Sequence, residues 1–206
     1  FQCALDDRIL ALIPRQGVRF DEVELKALLA YLNSSFAQLQ AEAMGRSTGG
    51  GMLELDVKPL SSFLILDVKR LSRGDVERLA QLFDKLESEA RRLGGADSAE
   101  NVYGSELAEE LTGRTDVRSS IQGLFNTVIK EIDYEVARIL GLEHLVEPVR
   151  VLVLAMAKRR LARAQEARRE AIIGEEREAE PRGRRAMRRA GGGGSSGVGR
   201  RLDEFF

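Results

Sequence analysis

The spacing of apolar residues along the chain predicts a mainly helical protein. The first periodic segment, "DEVELKALLAYLNSSFAQLQAEAM", has apolar side chains three and four residues apart, which is typical of one face of a helix. Asp21 and Glu24 have the spacing of a capping box at its start, and Gly45 follows its end. We therefore predict one helix from Asp21 to Met44. Its apolar face would comprise Val23, Leu25, Leu28, Leu29, Leu32, Phe36 and Leu39.

The pattern changes where "GRSTGGG" leads into "MLELDV". Apolar residues between Met52 and Val57 alternate with Glu54 and Asp56, as in a strand with one buried face. Pro59 then occupies a first-turn position, so "KPLSSF" is predicted to form a short helix, and "LILD" is a second short apolar run. This part of the chain predicts a small mixed β portion near the N-terminus.

Two further helices are predicted between residues 72 and 141. Ser72 or Asp75 is placed to cap the first, whose apolar positions recur at helical spacing through "DVERLAQLFDKLESEARRL". Thr115 or Asp116 begins the second, which ends at Gly141. The apolar stripe of this second helix would comprise Val117, Ile121, Leu124, Phe125, Val128, Ile132, Val136 and Ile139.

A last helix is predicted from Pro148, at a first-turn position, to about Ala171. It is apolar in "VRVLVLAMA" and strongly basic afterwards. The short connection "GLEHLVEP" favours packing of this helix against the preceding one as an antiparallel neighbour. His144, which lies in that connection, is predicted to be a surface or capping residue.

These elements predict an α+β fold that is predominantly helical, with a small mixed β portion near the N-terminus, a helical bundle and a disordered tail. We divide the chain into an α/β portion at residues 1–72, which carries the glycine-rich loop, a helical region at residues 73–172, and a basic, glycine-rich tail at residues 173–206. The tail contains "GGGGSSGVG", whose composition is typical of a flexible linker.

Composition narrows the possible function classes. The 206 residues include one cysteine, Cys3, and one histidine, His144, which excludes an internal disulfide framework and a cysteine zinc site. No apolar run approaches the roughly 18 residues that a membrane span needs, so we expect no membrane partner and a cytoplasmic location. Because the chain begins with Phe1 and not with methionine, we expect a fragment of a longer protein.

The net charge of −1 conceals an uneven distribution of charge. Residues 158–201 contain 14 lysines and arginines and 6 acidic residues, a net charge of +8, whereas the rest of the chain carries −9. A basic tail on an acidic body is a pattern of nucleic-acid-binding proteins, and it is equally the pattern of a solvated, disordered tail.

Three consecutive glycines, Gly49, Gly50 and Gly51, have two explanations. Loops that cradle nucleotide phosphates follow a strand and open a helix, whereas here a helix precedes the glycines and a strand follows them, so we exclude such a loop. The first explanation is a turn from helix to strand that needs positive φ angles. The second is a bare backbone against which duplex DNA lies, with Arg46 contacting a phosphate or a guanine edge.

Residues 28–72 contain an ordered series of features. A helix with a Leu-Asn-Ser-Ser sequence is followed by an arginine and a glycine-rich turn, an apolar strand, a short helix and a last apolar segment. The residues concerned are Leu32, Asn33, Ser34, Ser35, Arg46, Gly49, Gly50, Gly51 and the segment 63–67. This series resembles the C-terminal part of adenine-specific DNA methyltransferases of restriction-modification systems, although Leu64 stands where that family has a proline.

The resemblance implies a target-recognition module that binds double-stranded DNA. Its implied DNA contacts are Arg46, Ser47, Thr48, Gly49, Gly50, Gly51 and Lys58, with Lys69, Arg70 and Arg73 extending the surface to phosphates. The family's catalytic Asn-Pro-Pro-Tyr/Phe motif and its glycine motif for S-adenosylmethionine do not occur in this sequence. We therefore expect no catalytic residue, cofactor or metal in this chain alone. Its protein partner would be a catalytic methyltransferase domain, upstream or on a separate chain, that binds S-adenosylmethionine.

Two other functions compete with this prediction. The apolar helical stripes would also suit a protein-interaction or dimerisation module without DNA binding. Glu54, Asp56 and Lys58 alternate along the predicted strand, as at the metal-binding end of some nucleases. A half-exposed strand shows the same alternation, and no preceding partner aspartate is identifiable in the sequence.

Overall fold

The structure is a computed structural model that describes residues 13–48, 52–95, 99–104, 108–109 and 123–179. These residues are predominantly helical, and they include one two-stranded antiparallel sheet near the N-terminus. The predicted α+β, predominantly helical fold class is therefore confirmed. Cys3, the glycines at 49–51 and the predicted tail from residue 180 onward lie outside the described residues.

The first predicted helix is in fact two helices, α1 (Glu22–Leu32) and α2 (Ser35–Met44). The break lies at Ser34, whose backbone is extended and whose hydroxyl accepts a hydrogen bond from the Ala37 amide at 3.3 Å. A serine that satisfies a free first-turn amide in this way favours a helix start over a helix interior. The continuous apolar periodicity across this point concealed the break.

The next two elements are strands β1 (Arg46–Ser47) and β2 (Leu53–Glu54), which pair antiparallel and form a hairpin. The Thr48 amide donates to the Met52 carbonyl at 2.9 Å and closes the pairing. β2 is shorter than predicted because the chain turns at once into a short helix, α3 (Val57–Leu60).

The starts of α1 and α4 (Arg73–Arg92) follow the predicted caps. At the start of α1 the capping box is confirmed, with both hydrogen bonds between Asp21 and Glu24 at 2.8 Å. Ser72, the first of the two predicted residues, caps α4 and accepts a hydrogen bond from a first-turn amide at 3.2 Å. A short helix, α5 (Ala99–Tyr103), follows.

The face that α1 presents to α4 differs from the predicted one. Ala27 and Ala30 are fully buried, as is Leu79 of α4. Small side chains on α1 let the two helices approach closely, and this rotates Leu25 and Leu29 of the predicted apolar face outward, where both are exposed. The prediction was wrong at these two positions because leucine was weighted above alanine.

The second long helix, α6 (Val128–Leu140), begins later than predicted, and the predicted start at residue 115 or 116 lies outside the described residues. Gly123 is extended, and a 3-10 turn at Leu124–Asn126 precedes α6. A Cβ on Gly123 would lie 2.0 Å from the Gly104 amide nitrogen, so this residue has to be glycine where two backbones cross. The predicted end at Gly141 is confirmed, with a left-handed φ of 69°.

The last helix, α7 (Val146–Ala179), starts two residues before Pro148 and extends beyond the predicted end at residue 171. Its second half is rich in alanine, arginine and glutamate, which are strong helix formers, and the helix ends just before Pro181. The chain divides into two compact units, Phe1–Gln165 and Glu166–Phe206. The helices in the described part of the chain lack the combination of length and apolar content that a membrane crossing requires.

One hydrophobic core serves the first unit. It joins Tyr31 of α1 and Leu79 of α4 to Ile132 of α6 and Val153 of α7, all in one cluster with Phe125 of the 3-10 turn. Described residues from both predicted portions, 1–72 and 73–172, therefore contribute to this core within the first unit. The apolar stripes of α6 and α7 meet inside it, as the short connection between them suggested.

Candidate nucleic-acid interface

The β1–β2 hairpin is held against α2 by a close contact at Gly45. A Cβ at this position would lie 2.6 Å from Cδ1 of Leu53 and 2.8 Å from the Ala41 carbonyl oxygen. Gly45 ends α2, as predicted, with an ordinary extended backbone. Glycine is needed here for room, since Leu53 of β2 lies directly against the end of the helix.

The two faces of the hairpin have different roles. Arg46 is opposite Glu54, and Ser47 is opposite Leu53, in the antiparallel register. Because neighbouring residues of a strand point to opposite faces, Arg46 and Glu54 share one face and Ser47 and Leu53 the other. Leu53 is half-buried toward α2, so the face with Arg46 is the more open one, although Ser47 on the Leu53 face is exposed as well.

Arg46 stands between two carboxylates on that face. Its Nη2 is 3.2 Å from Oε2 of Glu54 and 3.6 Å from Oδ1 of Asp56. The Arg46 side chain remains 63% exposed, and Glu54 and Asp56 are 40% and 55% exposed. The guanidinium is thus oriented by its neighbours while remaining open to solvent.

The other predicted DNA contacts are distributed around the same hairpin. Ser47 is exposed and Thr48 half-buried, and the Thr48 hydroxyl lies 3.4 Å from the Met52 carbonyl oxygen. Lys58 is exposed on α3 and has no ion pair among the described residues. Gly49, Gly50 and Gly51 connect Thr48 to Met52 and lie outside the described residues.

The three further cations predicted to reach phosphates are each paired with a carboxylate. Lys69 pairs with Glu24 at 2.5 Å, Arg70 with Asp67 at 3.7 Å, and Arg73 with Asp21 at 3.0 Å. A hydrogen bond from Lys69 lowers the pKa of Glu24. Hydrogen bonds from the Glu24 amide and, to a smaller extent, from Arg73 lower the pKa of Asp21. Lys69 and Arg73 therefore connect the start of α4 and the segment before it to the capped start of α1.

A buried ionic network, which was not predicted from the sequence, connects the first turn of α2 to α6 and α7. Asp133 of α6 is fully buried and accepts hydrogen bonds from the Ser35 amide at 2.6 Å and the Ser35 hydroxyl at 2.7 Å. Arg150 of α7 donates to the same carboxylate at 2.7 Å. The sequence signal for this network is Asp133 itself, a charged residue on the apolar stripe of α6, three residues before Val136 and four after Ile129.

Arg150 makes further contacts that satisfy its guanidinium. It donates to the Phe125 carbonyl at 2.7 Å and to Oδ1 of Asn126 at 3.2 Å, and it stacks 4.0 Å from the centre of the Phe125 ring. Burial raises the pKa of Asp133, against the opposing effect of its bonds to Ser35 and Arg150. The network fixes the first turn of α2 on α6 and α7, and α2 in turn carries the hairpin through Gly45.

Features that would indicate catalysis are not assembled in the described part of the chain. No three histidine, cysteine, aspartate or glutamate side chains come together there as a metal site. His144 is exposed in a 3-10 turn, as predicted. Of the three residues only Glu54 belongs to β2, since Asp56 directly precedes α3 and Lys58 lies within it, and both carboxylates already face Arg46. The nuclease pattern is therefore not formed.

A cavity of about 580 Å³ lies beneath the segment that follows the hairpin. Its walls come mainly from α1, α2, α4 and residues 55–65, and they are largely apolar. Of its polar residues, Gln38 is engaged with the Tyr103 hydroxyl at 3.0 Å. The cavity has an apolar lining without a converging set of polar groups, which gives no basis for assigning it a chemistry.

Comparison with known proteins adds no relative: no family model, no curated protein and no solved structure matches this chain.

Proposed function

We propose that this chain is the DNA-binding, target-recognition part of an adenine-specific DNA methyltransferase of a restriction-modification system. It binds double-stranded DNA through the face of the β1–β2 hairpin that carries Arg46. The catalytic domain, upstream or on a separate chain, binds S-adenosylmethionine and extrudes the adenine. The chain by itself binds DNA without methylating it.

The observation that carries this proposal is the exposed two-stranded hairpin with an arginine on its open face. The major groove of B-DNA, about 12 Å wide, admits a two-stranded β-ribbon, and arginine is the side chain that most often reads base edges there. The strands of this hairpin are joined by residues 48–52, which include three glycines without side chains to keep the backbone from a duplex.

The position of the resembling motif within the fold adds support. Asn33 ends α1, Ser34 caps α2, and Ser35 binds the buried Asp133. These residues therefore form the support of the helix that carries the hairpin. The basic residues after Lys158 would add sequence-independent affinity for phosphates.

The test is binding of the full chain to a fluorescently labelled duplex of mixed sequence, followed by anisotropy at rising salt. We expect log K to fall linearly with log salt, with a slope of about −0.9 for each phosphate contact. A methyl-transfer assay with labelled S-adenosylmethionine should give no product with the chain alone and the same duplex. A chain that binds no duplex even at low salt would refute the proposal.

A second candidate function, a protein-interaction or dimerisation module, rests on one specific observation. On the first part of α7, Val151 is 65% and Leu152 is 47% exposed, and Pro148 and Ala155 on the same side are exposed as well. Their spacing makes a short apolar stripe that points away from the core, and such stripes suit helix pairing.

The two candidates differ in what light scattering after size-exclusion chromatography should show. The interaction module predicts a dimer or larger species in the absence of DNA, which Val151→Glu dissociates. The DNA-binding module predicts a mass that changes only when duplex is added. Val151→Glu leaves the sequence preference of duplex binding unchanged in that case, because Val151 belongs to α7 and not to the hairpin face that carries Arg46.

A further inference from the structure

We propose that Arg46 reads the edge of a base, with guanine as the best match, and that Glu54 and Asp56 keep DNA phosphates away from it. This inference rests on the proposed function and specifies the chemistry of the same surface. It assigns Glu54 and Asp56 as residues that position Arg46 and set its selectivity. The sequence alone left phosphate contact and base contact equally open for Arg46.

The local charge around Arg46 disfavours a phosphate contact. Both carboxylates approach the same guanidinium nitrogen, at 3.2 and 3.6 Å, so this cluster of one cation and two anions is negative overall. A phosphate that approached Arg46 would have to join two carboxylates around a single positive charge. Like charges at such distances repel, and the exposed surroundings weaken that repulsion without removing it.

A base edge meets much less of this repulsion, because its acceptors carry only partial negative charge. The O6 and N7 atoms of guanine are neutral acceptors, and arginine donates to both at once in the commonest specific contact with DNA. Both carboxylates lie nearest to Nη2 of Arg46, and Nε and Nη1 have no hydrogen-bond partner among the described residues. Because Nε–H and Nη1–H point away from each other, the planar pair that faces a base edge is Nη1 with Nη2. Nη2 carries two hydrogens, and it joins Nη1 in that pair by giving up the longer of its two contacts, at 3.6 Å to Asp56.

Glu54 and Asp56 also preorganise the Arg46 side chain. Arginine is long and flexible, so fixing it in one orientation costs conformational entropy when it binds. Glu54 lies directly across the strand pair from Arg46, and Asp56 is the residue just before α3, so both are attached to regular structure. These two carboxylates reduce the number of arginine orientations before DNA arrives, which favours a contact of fixed geometry.

The test compares the full chain with Arg46→Ala, Glu54→Gln and Asp56→Asn. Each protein selects duplexes from a random-sequence pool, and its affinity for a poly(dA-dT) duplex is followed at rising salt. For Arg46→Ala we expect loss of a preference of about 5- to 150-fold at one G·C position, with the salt slope unchanged. For the two amide variants we expect tighter poly(dA-dT) binding and a salt slope steeper by about 0.9, because Arg46 can then reach a phosphate.

A matched ion pair elsewhere on the surface provides the controls. Arg92 and Glu89 on α4 are paired at 2.8 Å, and their exposures, 65% and 36%, resemble those of Arg46 and Glu54. Arg92→Ala and Glu89→Gln should change neither the selected sequence nor the salt slope. They separate a specific effect of the hairpin from a general change in surface charge.

The outcomes distinguish this inference from the proposed function. If Arg46→Ala weakens binding equally on all sequences and makes the salt slope shallower by about 0.9, Arg46 contacts a phosphate. The inference is then wrong, and the proposed function stands. The inference is also wrong if both amide variants leave poly(dA-dT) binding unchanged. If the unaltered chain binds no duplex at low salt, both fail together.

Discussion

Two arginine–carboxylate clusters in this protein have the same chemistry and opposite surroundings. Arg150 and Asp133 are 5% and 0% exposed, and every contact they make is to the protein itself. Arg46, Glu54 and Asp56 are 40–63% exposed, and the guanidinium retains unpaired donors among the described residues. The hydrogen-bonding groups of the buried pair are satisfied within the protein, so the pair contributes to the fold. The exposed cluster still has donors that a ligand could use.

The difference teaches that the surroundings of an ion pair, more than its residue types, decide its role. An exposed pair stabilises a fold by about 0–1 kcal/mol because water competes for both charges. A buried pair gains little over apolar replacements, yet removing one partner leaves an uncompensated charge in the core and is very costly. Mutations at the two clusters should therefore separate stability from binding.

The largest effect is expected at the buried cluster. Arg150→Ala leaves the Asp133 carboxylate without its cation, and we expect a loss of about 3–5 kcal/mol in the free energy of unfolding. Urea unfolding followed by circular dichroism measures this change. Arg159→Ala, on the exposed side of the same helix, is the matched control. A loss below about 1 kcal/mol in Arg150→Ala would show that the pair is not buried in solution.

The connection between the two regions is tested at Gly45. Gly45→Ala places a Cβ 2.6 Å from Leu53, and the resulting strain should lower the free energy of unfolding by about 1–3 kcal/mol. We also expect weaker duplex binding, because the hairpin has to move. Gly74→Ala is the control, since a Cβ there meets only the Ser72 hydroxyl, at 4.0 Å. It should stabilise α4, and equal effects of both substitutions would contradict the close contact.

A cluster of intermediate exposure gives a pH-dependent effect. Hydrogen bonds from Ser72, Arg138 and Arg78 hold the pKa of Asp75 well below its ordinary value of 3.8. The folded state therefore favours the ionised carboxylate of Asp75. Its contribution to the free energy of unfolding is present above the ordinary pKa of 3.8 and is lost as the pH falls through the lowered pKa. Asp75→Asn should make the urea midpoint less dependent on pH between about 5 and 2. An unchanged pH profile would mean that these bonds do not form in solution.

The smallest effect on stability is expected at the exposed cluster. Arg46→Ala should change the free energy of unfolding by no more than about 0.5–1 kcal/mol, because the pair with Glu54 is open to water. Urea unfolding under the conditions used for Arg150→Ala checks this value. A larger loss would mean that Arg46 holds the hairpin together, and its effect on DNA binding would then be structural.

Much of the fold was predictable because the signals are local. The capping box at Asp21 and Glu24, the cap at Ser72 and the left-handed end at Gly141 each depend on residues within a few positions in the chain. The hairpin was expected as a turn into a strand, and Arg46 was singled out from its place before the glycines. The two carboxylates around Arg46 were not expected, since the register that brings Glu54 opposite it is set by pairing.

The errors share one cause, which is contact between residues far apart in sequence. The break before Ser35 is stabilised by Asp133, which is 98 residues away along the chain. The outward rotation of Leu25 and Leu29 depends on which face α4 meets. Hydrophobic periodicity predicts that an element has an apolar side, but it does not predict which residues of that side pack against another element.

By itself, the sequence determined the starts of α1 and α4, the end of α6, the predominance of helix, and the turn that follows Arg46, because capping and backbone preferences act over a few residues. Only the tertiary structure determined that Arg150 is buried in the core and that Arg46 is exposed between Glu54 and Asp56. The physical reason is that burial, and with it the strength of every charge interaction, is a property of the packed molecule.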